Sequence, residues 1–201
     1  MSKAPAITLE KLTKRYGKDR GIEDVTFEVQ HGQVFGFLGP NGAGKSTAMR
    51  LLIGLIEPTS GSASILGQDA LAHNSKLLEK VGYLPGALAL YKNLTGREYL
   101  RYLSKLRKVD CTKEIASLAE RMDLDLDKHI HDLSKGNRQK IGVVQAFMHK
   151  PEVLILDEPT SGLDPLIQRE FEGMLQEVKD RGAAVLLSSH VLSEVEHLAD
   201  Q

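Results

Sequence analysis

The segment Gly39-Pro-Asn-Gly-Ala-Gly-Lys-Ser-Thr47 decides the fold, because a predicted strand precedes it and a predicted helix follows it. Residues 34–38 form a continuous apolar run, which is typical of a buried strand. A helix is predicted to begin near Lys45. A strand that leads through glycines into a helix predicts an α/β domain.

The same segment matches the pattern G-x-x-x-x-G-K-[ST], whose residue types suit phosphate. Glycines let successive backbone N–H groups curl around a β-phosphate, and the helix N-terminus adds positive potential. Lys45 can reach the β- and γ-phosphates, and the Ser46 hydroxyl can ligate Mg²⁺. A chance glycine turn is the alternative, which the strand and helix context disfavours. No N/T-K-x-D guanine motif occurs, which disfavours a P-loop GTPase. The predicted binding residues are Gly39, Pro40, Asn41, Gly42, Ala43, Gly44, Lys45, Ser46 and Thr47.

Two adjacent carboxylates end the apolar run Val153-Leu-Ile-Leu-Asp-Glu158, where buried charge is costly. Asp157 is predicted to hold Mg²⁺ through its water shell. Glu158, on the opposite side of the strand, is predicted to accept a proton from the water that attacks the γ-phosphate. A solvated strand end is the alternative for this pair taken alone.

A further predicted strand ends at Ser188-Ser189-His190. His190 at this strand end can donate a hydrogen bond to the γ-phosphate. A lone histidine is usually structural, which is the alternative for His190.

Residues 153–156 and 184–187 are short apolar runs on either side of a predicted helix. Asp164 caps this helix and Pro165 takes its first position. The three elements form a βαβ unit, so the two strands should be parallel.

Between about residues 89 and 150 the sequence predicts helices and no strand. Thr95 and Glu98 form a capping box in front of one helix. The apolar stripe of that helix is predicted to contain Tyr99, Leu100, Leu103 and Leu106.

Composition narrows the class of protein. The chain has 201 residues, of which 41% are apolar, enough for one domain spanning residues 1–201. A formal net charge of -1 provides no general attraction to nucleic acid, so no nucleic-acid partner is predicted. Cys111 is the single cysteine, and the sequence shows no signal peptide and no apolar run of roughly 20 residues, so the chain is predicted to be cytoplasmic.

The segment Leu133-Ser-Lys-Gly-Asn-Arg-Gln-Lys140, called the signature segment below, resembles the LSGGQ signature of the ATP-binding cassette family. Lys135 and Asn137 depart from it. The other motifs occur in the family's order, so the resemblance covers essentially the whole chain. It implies that Ser134 and Gly136 bind the γ-phosphate of an ATP held by a second ATP-binding subunit, in a homo- or heterodimer. Taken alone, the segment could also be an ordinary helix cap.

The resemblance implies the complete architecture as well. The expected fold is α/β: a P-loop NTPase core with a mostly parallel sheet, an N-terminal antiparallel β subdomain and an inserted α-helical subdomain. Residues 1–88 and 151–201 would form the nucleotide-binding core with the β subdomain, and residues 89–150 the helical subdomain with the signature segment. Tyr16 stands where the family stacks an aromatic ring on adenine, although it could also be a core residue. Asp164 would lie in the loop that links two active sites.

One position departs from the family pattern. In Val81-Gly-Tyr-Leu-Pro-Gly86 the family usually has glutamine at the last position, where it touches Mg²⁺ and the attacking water. Gly86 has no side chain for either task, so it is not assigned to the metal site. Replacing Gly86 by glutamine is expected to leave nucleotide binding intact and to change hydrolysis.

The amino-acid sequences in and around these motifs are most similar to those of bacterial ABC-2 exporters. The resemblance therefore implies an ATP-hydrolysing subunit that powers export by ATP-driven dimerisation, with a transmembrane permease subunit as partner. The subunit would be peripheral on the cytoplasmic face of the inner membrane. Such cassettes continue beyond the position of Gln201, so the sequence is expected to be C-terminally incomplete. Two other interpretations stay open: a soluble cassette ATPase acting on ribosomes or DNA, and an ATP-binding regulator without transport.

Overall fold

Two sheets and their flanking helices form the fold. The computed structural model describes residues 4–17, 19–72 and 74–201, so the first three residues of the N-terminal segment searched for a signal peptide lie outside the described residues. The described strands are β1 (Ile7–Tyr16), β2 (Asp19–Val29), β3 (Val34–Leu38), β4 (Ser60–Ile65), β5 (Gln68–Asp69), β6 (Val81–Leu84), β7 (Val153–Asp157) and β8 (Ala184–Ser189). The described α-helices are α1 (Lys45–Leu52), α2 (Ser75–Leu78), α3 (Gly96–Leu106), α4 (Thr112–Arg121), α5 (Lys135–Phe147), α6 (Pro165–Asp180) and α7 (Leu192–Leu198).

The parallel sheet is the centre of the fold, with the strand order β3-β8-β7-β6. β7 and β8 pair in parallel and α6 joins them, which confirms the predicted βαβ unit. Val153 and Ile155 of β7 belong to the core cluster that contains α1, whereas Leu154 and Leu156 belong to the cluster that contains α5 and α6. Because helices cover both faces of the sheet, its central strands are apolar throughout instead of alternating.

An antiparallel sheet with the order β2-β1-β4-β5 is built from the N-terminal part of the chain. Its central strand β1 pairs with β2 on one side and with β4 on the other. Ile7 and Leu9 of β1 share a core cluster with Met49 of α1 and Ile155 of β7. The helix that follows the glycine-rich loop is therefore packed against both sheets, and the predicted fold class is confirmed.

A helical segment separates β6 from β7. It contains α3, α4 and α5, and no named strand lies in this fully described part of the chain. The capping box at the start of α3 is present: Thr95 accepts from the amide of Glu98, and the Glu98 carboxylate accepts from the amide of Thr95. The prediction of a helical region at this place is therefore confirmed, together with the start of its first helix.

The predicted apolar stripe of α3 is confirmed except at its last residue, since Leu103 is partly buried and packs against the core. Tyr99 and Leu100 are buried, whereas Leu106 in the last turn is 61% exposed. In the last turns of α3, Ser104 is buried, and its hydroxyl accepts a hydrogen bond from the amide of Cys111. A polar side chain therefore fixes the turn after α3, and the leucine faces solvent.

Among the described residues, each helix is either too short or too polar to cross a bilayer.

Candidate nucleotide-binding and catalytic site

Three strand ends meet at the carboxyl edge of the parallel sheet. β3 ends at Leu38, opposite Ser189 of β8, and β7 ends at Asp157, opposite Ser188. Since β8 lies between β3 and β7, the loop after β3 and the carboxylates that end β7 reach the same edge. Open α/β sheets bind their ligands at this edge.

A cleft of about 210 Å³ opens beside the glycine-rich loop. It brings together three features that are far apart in the sequence, namely Tyr16, the loop itself and Glu158. The residues that line it are Tyr16, Gly21, Asn41, Gly42, Ala43, Gly44, Lys45, Ser46, Thr47 and Glu158.

The backbone of the loop depends on glycine at its last turn. Gly44 has a φ of 88°, in the left-handed region. A Cβ at this position would lie 2.5 Å from the carbonyl oxygen of Gly21 and 2.4 Å from a methyl carbon of Ile22. The N-terminus of α1 can therefore approach β2 only because position 44 has no side chain.

The amine of Lys45 is held by the loop. Its Nζ donates to the carbonyl oxygen of Gly39, and also to that of Pro40 at 3.1 Å. The residue is only 6% exposed. Gly39 and Pro40 are the two predicted loop residues that do not line the cleft, and their carbonyls place the lysine beside it.

Tyr16 is 46% exposed, so the alternative that it is a core residue is wrong. Its ring lines the cleft, and the Lys14 amine lies 5.4 Å from the ring centroid. An exposed aromatic ring at the rim of a polar cleft has the arrangement required for stacking on a flat base.

Asp157 is 2% exposed, so the alternative of a solvated strand end does not apply to it. Its Oδ1 accepts a hydrogen bond of 2.6 Å from the Ser188 hydroxyl. Burial and the negative charge of Asp157 together raise the pKa of Tyr83 on β6, against the opposing charge and hydrogen bond of Arg50. The hydrogen bond from the Ser188 hydroxyl occupies one of the two carboxylate oxygens of Asp157.

Gly86 lies against the other oxygen. A Cβ at position 86 would be 2.9 Å from Oδ2 of Asp157. Because Ser188 fixes the carboxylate, a larger residue at position 86 must displace either this carboxylate or the loop after β6. A glutamine at position 86 would therefore act on the surroundings of the predicted metal carboxylate, and the expectation that Gly86→Gln leaves nucleotide binding intact stays a prediction.

Glu158 adopts a left-handed backbone conformation, with a φ of 49°. Its amide donates to the Ser188 hydroxyl at 3.1 Å and to the Ser188 carbonyl at 3.2 Å. Its side chain is 27% exposed, and Oε1 lies 3.0 Å from Nδ1 of His190. An ionised carboxylate can only accept, so Nδ1 of His190 carries the proton in this pair. His190 therefore contacts Glu158 directly.

Ser134, Gly136 and Asp164 lie outside this cleft, as its lining among the described residues shows. Ser134 is the N-cap of α5, where its hydroxyl accepts from the amide of Asn137 at 3.1 Å. Asp164 is the N-cap of α6, and both caps are exposed. A Cβ at Gly136 would lie 2.6 Å from the carbonyl oxygen of Gly162, so the signature segment touches the loop that follows β7.

Sequence reasoning assigned no role to two residues of the site. Ser188 bridges Asp157 and the amide of Glu158, and Gln139 donates to the carbonyl oxygens of Glu158 and Pro159 at 3.2 and 3.0 Å. Both side chains are buried polar groups. A hydroxyl at the end of an apolar strand and an amide on a buried helix face are the signals that could have identified them.

Residues 22–161 match the model of the ABC transporter family. The bacitracin transport ATP-binding protein BcrA of Bacillus licheniformis is 38% identical over 94% of this chain and 63% of its own length. The probable multidrug ABC transporter ATP-binding protein YbhF of Escherichia coli (strain K12) is 38% identical over 95% of this chain and 34% of its own length. The chain thus spans less than two thirds of the length of each of these two relatives.

A solved structure, described as that of an ATP-binding subunit of an ABC transporter, superposes with a TM-score of 0.90. It is 34% identical in sequence over 97% of this chain and 83% of that chain. A bacterial ABC transporter cassette, MJ0796, shares the fold with a TM-score of 0.83 at 21% identity. The matched family model and the first of these structures show that the chain belongs to the ABC transporter family.

Proposed function

We propose that this chain is the ATP-binding and ATP-hydrolysing subunit of an ABC exporter, powered by ATP-driven dimerisation. The observation that supports this most is the cleft that joins Tyr16, the glycine-rich loop and Glu158. An aromatic ring, a phosphate loop and a carboxylate in one cleft match the base, the phosphates and the reaction centre of a nucleoside triphosphate.

Nucleotide binding would use the loop backbone and two side chains. Residues 39–47 would surround the phosphates, and the adenine ring would stack on Tyr16. Lys45 would exchange its bonds to the carbonyls of Gly39 and Pro40 for bonds to the β- and γ-phosphates. The exchange needs only a rotation of the lysine side chain, since the amine already lies beside the cleft.

Two side chains would hold a magnesium ion. Ser46 supplies a hydroxyl and Asp157 a carboxylate oxygen, and oxygen ligands of this kind suit Mg²⁺. Since Oδ1 of Asp157 is bonded to Ser188, Oδ2 would face the metal's water shell. When bound, Mg²⁺ neutralises charge that develops on the phosphate oxygens.

Hydrolysis would depend on Glu158 as the general base. Glu158 lines the cleft, and its carboxylate would accept a proton from the attacking water there. His190 lies within hydrogen-bond distance of the same carboxylate and would hold its orientation, and its exposed ring would donate to the γ-phosphate.

A second ATP-binding subunit would complete the site. Ser134, Gly136 and Asp164 are outside the cleft of their own chain, and Ser134 and Asp164 are exposed at helix N-termini. These residues would contact the ATP held by the partner subunit, because a helix N-terminus attracts anions. ATP would then favour the closed dimer through contacts that only the dimer makes.

The transport assignment rests on the relatives, whose names describe bacitracin transport and probable multidrug transport. We propose that residues 89–150 form a helical subdomain that receives a transmembrane permease subunit, and that residues 1–88 and 151–201 form the nucleotide-binding core. The chain would then be peripheral on the cytoplasmic face of the membrane. Cassettes acting on ribosomes or DNA and ATP-binding regulators are the alternatives.

The hydrolytic role is tested by Glu158→Gln, which keeps the shape of the side chain and removes the base. The variant should bind a fluorescent ATP analogue with unchanged affinity and lose about 100-fold or more of its ATPase rate, the upper end of what a general base contributes. Glu120→Gln, an exposed change on α4, is the control for the loss of one negative charge. Turnover close to wild type in Glu158→Gln would disprove the assigned role.

Transport is tested by purifying the tagged native protein from detergent-solubilised membranes and identifying its companions by mass spectrometry. A polytopic membrane protein in stoichiometric amount is expected. Ribosomal or DNA-associated proteins in its place would remove the transport assignment and leave the ATPase chemistry.

A further inference from the structure

The left-handed backbone of Glu158 needs support from its surroundings. A non-glycine residue with a φ of 49° is held in a sparsely populated conformation, which persists only where neighbouring groups fix it. The conformation matters because it determines where the carboxylate points from the end of β7. The groups that bond to the Glu158 backbone therefore control the position of the proposed base.

Two side chains hold this backbone from opposite sides. On the amide side, the Ser188 hydroxyl accepts from the Glu158 amide. On the carbonyl side, Nε2 of Gln139 donates to the Glu158 carbonyl at 3.2 Å and to the Pro159 carbonyl at 3.0 Å. Gln139 is only 6% exposed, so water does not readily replace these bonds.

The two supports come from different parts of the fold. Ser188 belongs to β8, next to β7 in the central sheet, and cannot move without the sheet. Gln139 lies on α5, the helix that begins at Ser134 in the signature segment. Gly136, in the first turn of the same helix, also lies close to the carbonyl oxygen of Gly162 in the loop after β7, because a Cβ at position 136 would be 2.6 Å from that oxygen.

We infer that Gln139 is a positioning residue that couples the signature segment to the catalytic carboxylate. The inference rests on the proposed function, because it takes Glu158 as the base and Ser134 as a contact to ATP. When the N-terminus of α5 engages a phosphate, the helix is fixed relative to the sheet. Gln139, five residues further along the chain, then fixes the carbonyls of Glu158 and Pro159. The base is thereby aligned when the second subunit is in place.

The amide is suited to this task because it has two N–H donors for two carbonyl acceptors. Methionine has a similar length and volume but no donor. Gln139→Met should therefore leave both carbonyls without their buried partner and loosen the loop after β7. Glutamate keeps the shape but, when ionised, opposes the two carbonyls with negative charge.

A matched control exists on the same helix. Gln145 accepts a hydrogen bond of 2.7 Å from the Tyr99 hydroxyl of α3, so it ties α5 to the helical segment and not to the catalytic loop. Gln145→Met is the same chemical change and also removes one partly buried hydrogen bond. It should lower the midpoint of thermal unfolding and leave kcat within about twofold of wild type.

The experiment measures kcat, KM, the affinity for a fluorescent ATP analogue and thermal unfolding for wild type, Gln139→Met and Gln145→Met. We expect Gln139→Met to lower kcat about tenfold, the effect of one misplaced hydrogen-bonding group, with KM and nucleotide affinity unchanged. A folded Gln139→Met variant with wild-type kcat, or with no larger loss than Gln145→Met, would overturn the inference. If Gln139→Met does not fold, Gln139→Glu is judged by the same criterion.

Coupling to the signature segment is tested by a double-mutant cycle with Ser134→Ala. The two substitutions should lower kcat by less than the product of their separate effects, since they interrupt one connection. Multiplicative effects would remove the coupling.

Measuring Glu158→Gln in parallel distinguishes a failure of the proposed function from a failure of this inference alone. Wild-type turnover in that variant would overturn the proposed function and this inference together. An inactive Glu158→Gln beside a normal Gln139→Met would overturn the inference alone.

Discussion

The glycine-rich loop and the end of β7 contribute to one cleft, but they are built in different ways. In the loop, the backbone conformation of residues 39–47 determines the shape of the proposed phosphate site. The feature on which this conformation depends is the absence of a side chain at Gly44. At the end of β7, buried side chains from other elements determine the positions of the two acidic residues. Ser188 from β8 holds Asp157, and Gln139 from α5 holds the backbone of Glu158.

The difference shows how each region can be damaged. A binding site formed by backbone N–H groups loses affinity when a larger residue replaces a single glycine in its own segment, because the N–H groups that would face the phosphate are displaced together. A side-chain network fails when a residue distant in sequence loses a hydrogen bond, and it fails in part, since the other supports remain. Substitutions in the loop should therefore affect binding, and substitutions in the network should affect turnover.

Among the substitutions that test this difference, the largest effect is expected for Gly44→Ala. The new Cβ would meet the carbonyl of Gly21 and the side chain of Ile22 while the residue keeps a left-handed φ. Strain and overpacking of this kind cost about 3 kcal/mol together, which corresponds to about 100-fold weaker ATP binding if the loop must move. Equilibrium titration with a fluorescent ATP analogue measures this change.

Gly42→Ala is the control, because Gly42 has a similar φ of 84° but a Cβ there would meet no atom within 4 Å. It shares the backbone strain and lacks the collision, so its loss of affinity should be clearly smaller. Equal losses in the two variants would show that the close approach to β2 does not determine the loop geometry.

A smaller effect, on turnover, is expected for Ser188→Ala. The variant removes the donor to the Asp157 carboxylate and the acceptor of the Glu158 amide. A hydrogen bond to a charged group contributes about 1.5–3 kcal/mol, so kcat should fall about 10- to 100-fold while ATP affinity changes little. Steady-state kinetics beside equilibrium binding separates the two quantities.

The neighbouring Ser189→Ala controls for the loss of a buried serine on the same strand. The Ser189 hydroxyl donates to Glu194 and accepts from the amide of Val191, so it supports the start of α7 and not the carboxylates. If Ser189→Ala lowers kcat as much as Ser188→Ala, the network at the end of β7 is not specific to Ser188.

The same contrast explains what the sequence could predict. The glycine-rich loop, the capping box at Thr95 and the helix that begins after Asp164 depend on residues close in sequence, and the structure has them as predicted. Ser188 and Gln139 gain their roles only when β8 and α5 are placed beside the end of β7, which no local pattern reports. The positions of the individual site residues relative to ATP stay predictions.

Strand β1 shows a further limit of pattern reading. Its pairing with β2 shifts register between Leu9 and Leu12, and Lys11 within this stretch has a φ of 48°. Such bulges interrupt the period-two alternation by which a strand is recognised. The family resemblance therefore predicts the antiparallel sheet, whereas the periodicity of this segment does not.

The smallest effect is expected for Gly86→Ala, which probes the free oxygen of Asp157. An added Cβ would lie 2.9 Å from Oδ2, and the carboxylate must yield by a few tenths of an ångström while Ser188 holds Oδ1. We expect the Mg²⁺ concentration for half-maximal ATPase activity to rise about threefold, since one displaced contact costs less than 1 kcal/mol. A magnesium titration of the ATPase rate measures this shift.

Gly173→Ala on α6 provides the matched control. A Cβ at position 173 would meet only the Arg121 guanidinium at 3.5 Å, which is an ordinary contact. Alanine is preferred over glycine in a helix by roughly 1 kcal/mol, so this variant should raise thermal stability and leave the magnesium response unchanged. If Gly86→Ala also leaves the magnesium response unchanged, Oδ2 of Asp157 does not face the metal, and the assignment of Asp157 to the metal site is wrong. The contrast between the two regions would then rest on the side chains that hold the backbone of Glu158, namely Ser188 and Gln139.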